Sequence, residues 1–284
     1  MSGAAALNLL KAWVLVGLLT AALTGIGWLI GGRPSALVFA FCSLLAAAAV
    51  YRYGDRALLG MLGARPFALA EDPALRATVD AAAARLGVRA PQLSLIPDGF
   101  PRLFVVGRGP HSSTLALSTG ALQALRGDEL KAAIAHELAH VRRRDVLVQT
   151  FAVLFAATLL EVSRLGGWLS RVLLYVLAPL AAAFVHLLLS PTREGAADAL
   201  AATTLDSPHD LADALLRLDH ASELVEFAAS PASEPLYAVN PFENEGLARM
   251  FRTHPPLADR VHRLRALPAR GSNGNGRRTS GLDP

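Results

Sequence analysis

A single cysteine, Cys42, occurs in the 284 residues, so the chain can form no intrachain disulfide and no metal site built from several thiolates. Cys42 itself sits in an apolar stretch and reads as a small packing residue. Charge is scarce as well: Asp, Glu, Lys and Arg make up 18% of the chain against 53% hydrophobic residues, with a mean hydropathy of +0.39. An ordinary soluble enzyme carries about 25% charged residues, so this composition excludes that class and points to a membrane. Aromatics amount to 6% and are not interleaved with the arginines, which argues against nucleic acid in spite of a pI near 9.7. Anionic lipid suits the arginines better, because they gather at the edges of apolar runs. There is no internal repeat.

What the chain has in quantity is uncharged sequence. Residues 12–32 and 34–51 each lack any charge, a membrane-spanning helix needs about 20 such residues, and only Arg33 separates the two, which predicts a helical hairpin. The first run is long for the apolar part of a cleaved leader and a second follows at once, so the hairpin is expected to be retained. Two further runs come later: Val146 to Leu160, short and closed by Glu161, and Val172 to Thr192, long enough to span but holding His186. Arg52, Arg56, Arg65, Arg142, Arg143, Arg144 and Arg193 would share one side, against Arg33, Arg164 and Arg171 on the other. The positive-inside rule then puts both termini and most of the polar sequence in the cytoplasm.

Between these runs lies the material of a small domain. Residues 72–86 read as a helix with Asp72 as N-cap, Pro73 at N1 and Gly87 as its stop. Three short β-type runs follow at 92–97, 102–107 and 113–118, parted by turn residues, and suggest a small sheet. A helix capped by Asp128 is expected to continue through His140 toward the third apolar run, with more helices at 193–204, 208–227 and 256–267 and a Pro-rich loop around 231–241. The expected division is a transmembrane hairpin (1–52), a first catalytic part (53–145), a second membrane-associated helical pair (146–192), a second catalytic part (193–267) and a disordered tail (268–284).

The chemistry concentrates in AIAHELAHVRRRDVLVQTFAVLF, residues 133–155, where two histidines around a glutamate lead into an apolar run. Residues four apart on an α-helix are turned by about 40° and raised by about 6 Å, so His136 and His140 project from one face and can grip one ion. Glu137 points roughly 100° away from His136. This is the H-E-x-x-H spacing of zinc hydrolases, in which neutral imidazoles bind Zn2+ and the glutamate takes a proton from the attacking water in peptide-bond hydrolysis. The bland alternative is a solvated helix whose histidines face water. A catalytic zinc site takes three protein ligands, and with Cys42 in an apolar run the third is expected to be His, Glu or Asp. TREGAADALA, residues 192–201, carries Glu194 and Asp198 four apart on a helix, so one carboxylate can bind metal while the other orients a ligand imidazole.

The chain resembles the HtpX-like integral-membrane zinc endopeptidases, bacterial relatives of the CAAX prenyl proteases. The resemblance rests on LLGMLGARP (58–66), LSTGAL (117–122), DELKAAIAHELAHVRRRD (128–145), REGAADALAA (193–202) and YAVNPFENEGLARMFRTHPPLADRV (237–261). It implies a mainly α multi-span membrane protein whose cytoplasmic, zincin-like catalytic domain contains a small sheet. It also implies one Zn2+ held by His136, His140 and Glu194, with Glu137 as catalytic base and Asp198 as the partner of a ligand. Misfolded or membrane-associated polypeptides would be the substrates, in quality control at the bacterial inner membrane. Glu194 suits the third position on depth, since His186 is about two turns deeper in its apolar run and Asp198 one turn further out. His254, in THPPLADR with Arg260, matches an element near the site, where it would contact substrate or the oxyanion or else brace its own loop. His111, His186, His209, His220 and His262 have no partner at ligand spacing. Two departures stand out: Arg102-Leu103-Phe104 replaces the usual Asn-Ala-Phe of the substrate-lining strand, and Gly195 replaces an aromatic after Glu194, leaving looser packing there. These departures are the support for a rival reading, a catalytically silent membrane scaffold.

Overall fold

A computed structural model of the chain describes residues 3–67, 72–164, 169–190, 192–225 and 254–269. The first two apolar runs form α1 (Gly3–Met61), whose helical course breaks at Gly31 and Gly32, Gly32 lying at φ 64°, with Pro34 just beyond. Straight, the apolar stretch Leu10–Met61 would extend about 78 Å, over twice the hydrocarbon thickness of a bilayer. It is instead folded into two arms: Thr20 Oγ1 lies 3.0 Å from Ser43 Oγ. A Cβ on Gly27 would fall 2.8 Å from Ser35 O, so glycine is what lets the arms close near the bend. Cys42 is on an exposed face of α1 and not packed inside.

Leu10–Met61 is the one stretch among the described residues long and apolar enough to cross a membrane by itself. The expected four spans do not appear as four such helices. The third run lies in α5 (Asp145–Arg164), whose apolar part Asp145–Leu160 is shorter; the fourth run lies in α6 (Ser170–Leu188), of which Leu174–Leu188 passes only together with Thr192–Ala202 across a 44° bend. Small side chains, Ala152, Ala156, Ala178, Ala181 and Ala182, fill the seam between α5 and α6, with Ala12 and Leu15 of α1 against it. Phe155 and Phe184 stack with centroids 4.0 Å apart.

The polar part begins with β1 (Arg65–Pro66) and α2 (Pro73–Leu86), which has the expected Asp72 cap, accepting from Leu75 N at 2.9 Å, and the expected left-handed Gly87 stop. The three expected strands are β2 (Gln92–Ile96), β3 (Leu103–Gly109) and β4 (Ser112–Ser118). The sheet order is β1-β2-β4-β3, with β2 and β4 parallel and the other neighbours antiparallel, so β3 is an edge strand. After α3 (Thr119–Ala124) comes α4 (Asp128–Arg143), in which every residue from Ala132 to Val141 is buried between the sheet and the helices α2, α7 (Thr192–Ala202) and α8 (His209–Glu223). The helix α9 (Leu257–Arg265) rests on α7 and α8.

Two local expectations are corrected. Gly127, not Asp128, occupies the cap position of α4, and Asp128 is its first residue. The helix also stops at Arg144, which adopts φ 62°, before α5 starts at Asp145, so it does not run on into the third apolar segment. Residues 231–241 lie outside the described residues, as does 270–284 of the expected tail.

Candidate metal centre

The burial of α4 disposes of the solvated-helix alternative: His136 is 1% exposed and His140 3%. Their spacing turns both rings to one side, 4.9 Å apart and nearly perpendicular, toward the first turn of α7. There Glu194 places Oε2 3.5 Å from His136 Nε2 and Oε1 3.6 Å from His140 Nε2. These three residues form a group that can hold a metal ion, with ligand atoms all within 4.8 Å of one another. Ligands about 2.0–2.1 Å from a tetrahedral zinc stand about 3.3 Å apart, close to the two spacings seen. Both ring nitrogens of His136 and Glu194 Oε2 are buried without a hydrogen bond of good geometry; for Nε2 and Oε2, which face one another, this is costly in a pair serving only structure and natural in a cation's ligands.

Each imidazole is held from behind. Asp198, one turn along α7, puts Oδ1 3.0 Å from His136 Nδ1, and Asp145 puts Oδ2 3.2 Å from His140 Nδ1. Both Nδ1 atoms thus face carboxylates and both Nε2 atoms face Glu194, the tautomer arrangement in which Nε2 can ligate. Asp198 is itself gripped by Arg260 of α9, whose Nε and Nη2 donate at 2.8 and 2.7 Å. Arg193 donates from Nε to Glu194 Oε1 at 3.0 Å and from Nη1 to Gln149 of α5 at 3.3 Å. His254 Nε2 lies 3.6 Å from Glu194 Oε2, so the centre includes the histidine whose place the sequence left open. His111, His186, His209, His220 and His262 are not in the group.

The charges follow from this. Burial pushes the Glu194 carboxyl up, yet His254, His140 and Arg193 together hold it well below the usual range. Burial likewise opposes ionisation of Asp198, and Arg260 overrides it, with the carboxyl far below its ordinary value. Burial disfavours a charged His140, but Glu194 and Asp145 outweigh that and raise its pKa to about 9. Glu137 differs from its neighbours: burial dominates, and its carboxyl is pushed up. Its Oε2 accepts a hydrogen bond from Val105 N at 3.1 Å, which fixes it between α4 and the edge strand β3.

The two departures from the family pattern are absorbed locally. Arg102 is 6% exposed and pairs with Asp98 (Nη2 to Oδ2, 2.6 Å) at the start of β3. The space beside Gly195 is filled by Arg263, whose Nη1 would be 3.1 Å from a Cβ there, so a guanidinium takes the room expected to be loosely packed. Sequence reasoning missed Asp145, Arg193 and Gln149. Only Asp145 had a local signal, as the acid five residues after His140, and that signal acts only through the turn at Arg144.

The family model for Peptidase family M48 matches residues 69–268. A "Protease HtpX homolog" of Pelotomaculum thermopropionicum is 36% identical over 279 residues, covering 92% of this chain and 99% of that protein. The "Protease HtpX" of Legionella pneumophila (strain Corby) is 34% identical over 280 residues, covering 92% and 99%. Among solved structures, S. mikatae Ste24p aligns with a TM-score of 0.48 at 16% identity, over 93% of this chain and 66% of that one. With its buried His136, His140 and Glu194 inside the matched segment, this chain belongs to Peptidase family M48 and is an HtpX-like member of it.

Proposed function

We propose that the chain is a multi-pass membrane zinc endopeptidase whose active site faces the cytoplasm. The observation that carries this reading is the buried trio, with His136 Nε2 and Glu194 Oε2 turned toward one another and neither making a hydrogen bond, directly beside Glu137. His136, His140 and Glu194 hold one Zn2+, which supplies Lewis acidity toward a peptide carbonyl and lowers the pKa of water. Asp198 and Asp145 keep the imidazoles ligating through Nε2.

Glu137 is the general base. With Oε2 held by Val105 N–H, its carboxylate takes the proton of the attacking water and passes it to the leaving amine, and its raised pKa makes it the stronger base for the first transfer. The substrate lies as an extended segment beside β3, an edge strand of the sheet, where Glu137 and Thr150 take the Val105 and Gly107 amides. His254, 6% exposed, donates toward the carbonyl oxygen as negative charge builds there. In this reading the two arms of α1, with α5 and α6, lie in the membrane and the site sits at its surface, where misfolded or membrane-associated polypeptides are met, as in quality control of membrane proteins. The charge asymmetry of the arginines supports the cytoplasmic orientation.

Glu137→Gln tests the reading against a silent scaffold, because an amide cannot accept the proton while both imidazoles remain. The purified variant is expected to keep one zinc per chain and to lose cleavage of casein. Turnover near the parent level would remove Glu137 from the mechanism.

A further inference from the structure

A cavity of about 790 Å3, chemically distinct from the metal centre, lies where α1 ends, bounded by the β1–β2 edge and the β3–β4 turn. Five arginines line it, Arg52, Arg56, Arg76, Arg89 and Arg108, with Asp55 the one carboxylate among them. Arg76 is already paired with Asp80 at 2.8 Å. Arg108 donates from Nη2 to Ser112 Oγ at 2.9 Å, but its Nε is buried and makes no hydrogen bond. Arg52, Arg56 and Arg89 have no ion-pair partner among the described residues.

The wall behind the arginines is polar for a reason visible in the strands. Ile96, Phe104, Val106 and Ala116 share one sheet face with Leu58 and Val153 packed on it; by the two-residue period, Gln92, Ser94 and Thr114 continue that same face. Where the apolar cover stops, the face turns to hydroxyls and meets the cavity. Ser94 and Thr114 are each 8% exposed and supply hydroxyl donors at the inner wall.

We propose that this cavity binds a phosphate-bearing anion. Guanidinium forks match phosphate oxygens in pairs, a cluster of them facing so few carboxylates attracts an anion, and the volume leaves room for more than a bare phosphate. Arg52 and Arg56 directly follow the apolar run 34–51, which sets the mouth at headgroup depth if α1 is embedded as proposed above. The anion chemistry itself does not depend on that placement or on zinc.

The full chain in non-ionic detergent is titrated calorimetrically with inorganic phosphate and, separately, with short-chain phosphatidylglycerol. At least one probe is expected to saturate a single site, weakened tenfold or more by Arg56→Gln with Arg89→Gln. The pair Arg126→Gln with Arg217→Gln removes the same charge from exposed positions outside the cavity and should change binding less than twofold. Saturation by inorganic phosphate assigns a soluble phosphate; saturation by the lipid alone assigns a headgroup. Arg56→Lys with Arg89→Lys, which keeps the charge, should bind better than the glutamine pair. The proposal fails if neither probe saturates one site, if the two glutamine pairs weaken binding equally, or if the lysine pair falls as far as the cavity glutamine pair. Proteolysis enters none of these readings, so their failure is separate from failure of the zinc assignment.

Discussion

Asp198 and Arg260 form an ion pair inside the protein, 5% and 1% exposed, joined by two hydrogen bonds of 2.7 and 2.8 Å. From sequence alone Asp198→Asn is expected to spare the fold and weaken zinc binding roughly 10 to 100-fold, the usual loss when a ligand imidazole loses its partner. The pair adds a stability cost. Removing one member of a buried pair takes away the other's main counter-charge, here leaving Arg260 Nη2 with Glu194 Oε2 at 3.8 Å or Asp198 Oδ1 with His136 Nδ1 at 3.0 Å, at about 3–5 kcal/mol. At roughly 2–4 °C per kcal/mol for a domain of this size, Asp198→Asn and Arg260→Met should each lower the melting temperature by about 6–20 °C. Replacing both by apolar residues, Asp198→Leu with Arg260→Met, should recover most of that loss, because no charge is stranded. Zinc affinity should not recover, since His136 Nδ1 still lacks its carboxylate.

The acid dependence has a definite sign. The folded carboxyl is held below its ordinary 3.8, so its contribution is present above that value and disappears as the pH falls from there toward the depressed one. Metal-free Asp198→Asn should therefore lose less stability than metal-free parent over that acid range. Melting followed by circular dichroism, with zinc affinity from chelator competition, covers every arm. If Asp198→Asn bound zinc as tightly as the parent, or if the apolar double variant melted as low as the single ones, the role given to this pair would be refuted.

Other expectations are simpler. Reporter fusions after Arg33 and after Arg65 should report periplasm and cytoplasm respectively, and a periplasmic signal after Arg65 would invert the proposed topology. Gly120→Ala should destabilise by about 1–3 kcal/mol, because its Cβ would fall 1.9 Å from Gly99 O, where the Gly120 amide bonds Asp98 O; a thermal melt equal to the parent's would contradict that close approach.

How much of this was readable in the sequence depended on how local each cause is. α2 was legible almost to the residue because Asp72, Pro73 and Gly87 act within one turn of its ends. The pair His136 and His140 was legible because helical spacing alone brings them together, and the hairpin of α1 because Arg33 parts two uncharged runs. Arg144 was not: nothing in an arginine announces a left-handed conformation, and the expected helix ran through it. β1 was too short, at two residues, to leave a pattern. Gln149 joins the centre only through tertiary packing, as does the grip of Arg260 on Asp198 across 62 residues, and no spacing rule reports such pairs, while Asp145 reaches His140 only through the left-handed turn at Arg144.

The central assignment is that Glu194 completes a zinc site with His136 and His140. Elemental analysis of the purified full chain and of Glu194→Ala, read beside casein cleavage, tests it directly. One zinc per parent chain, with both metal and cleavage lost in the variant, is the predicted result, since two imidazoles alone hold the ion weakly. Stoichiometric zinc in Glu194→Ala, with metal lost instead in Asp198→Asn or His254→Ala, would contradict it.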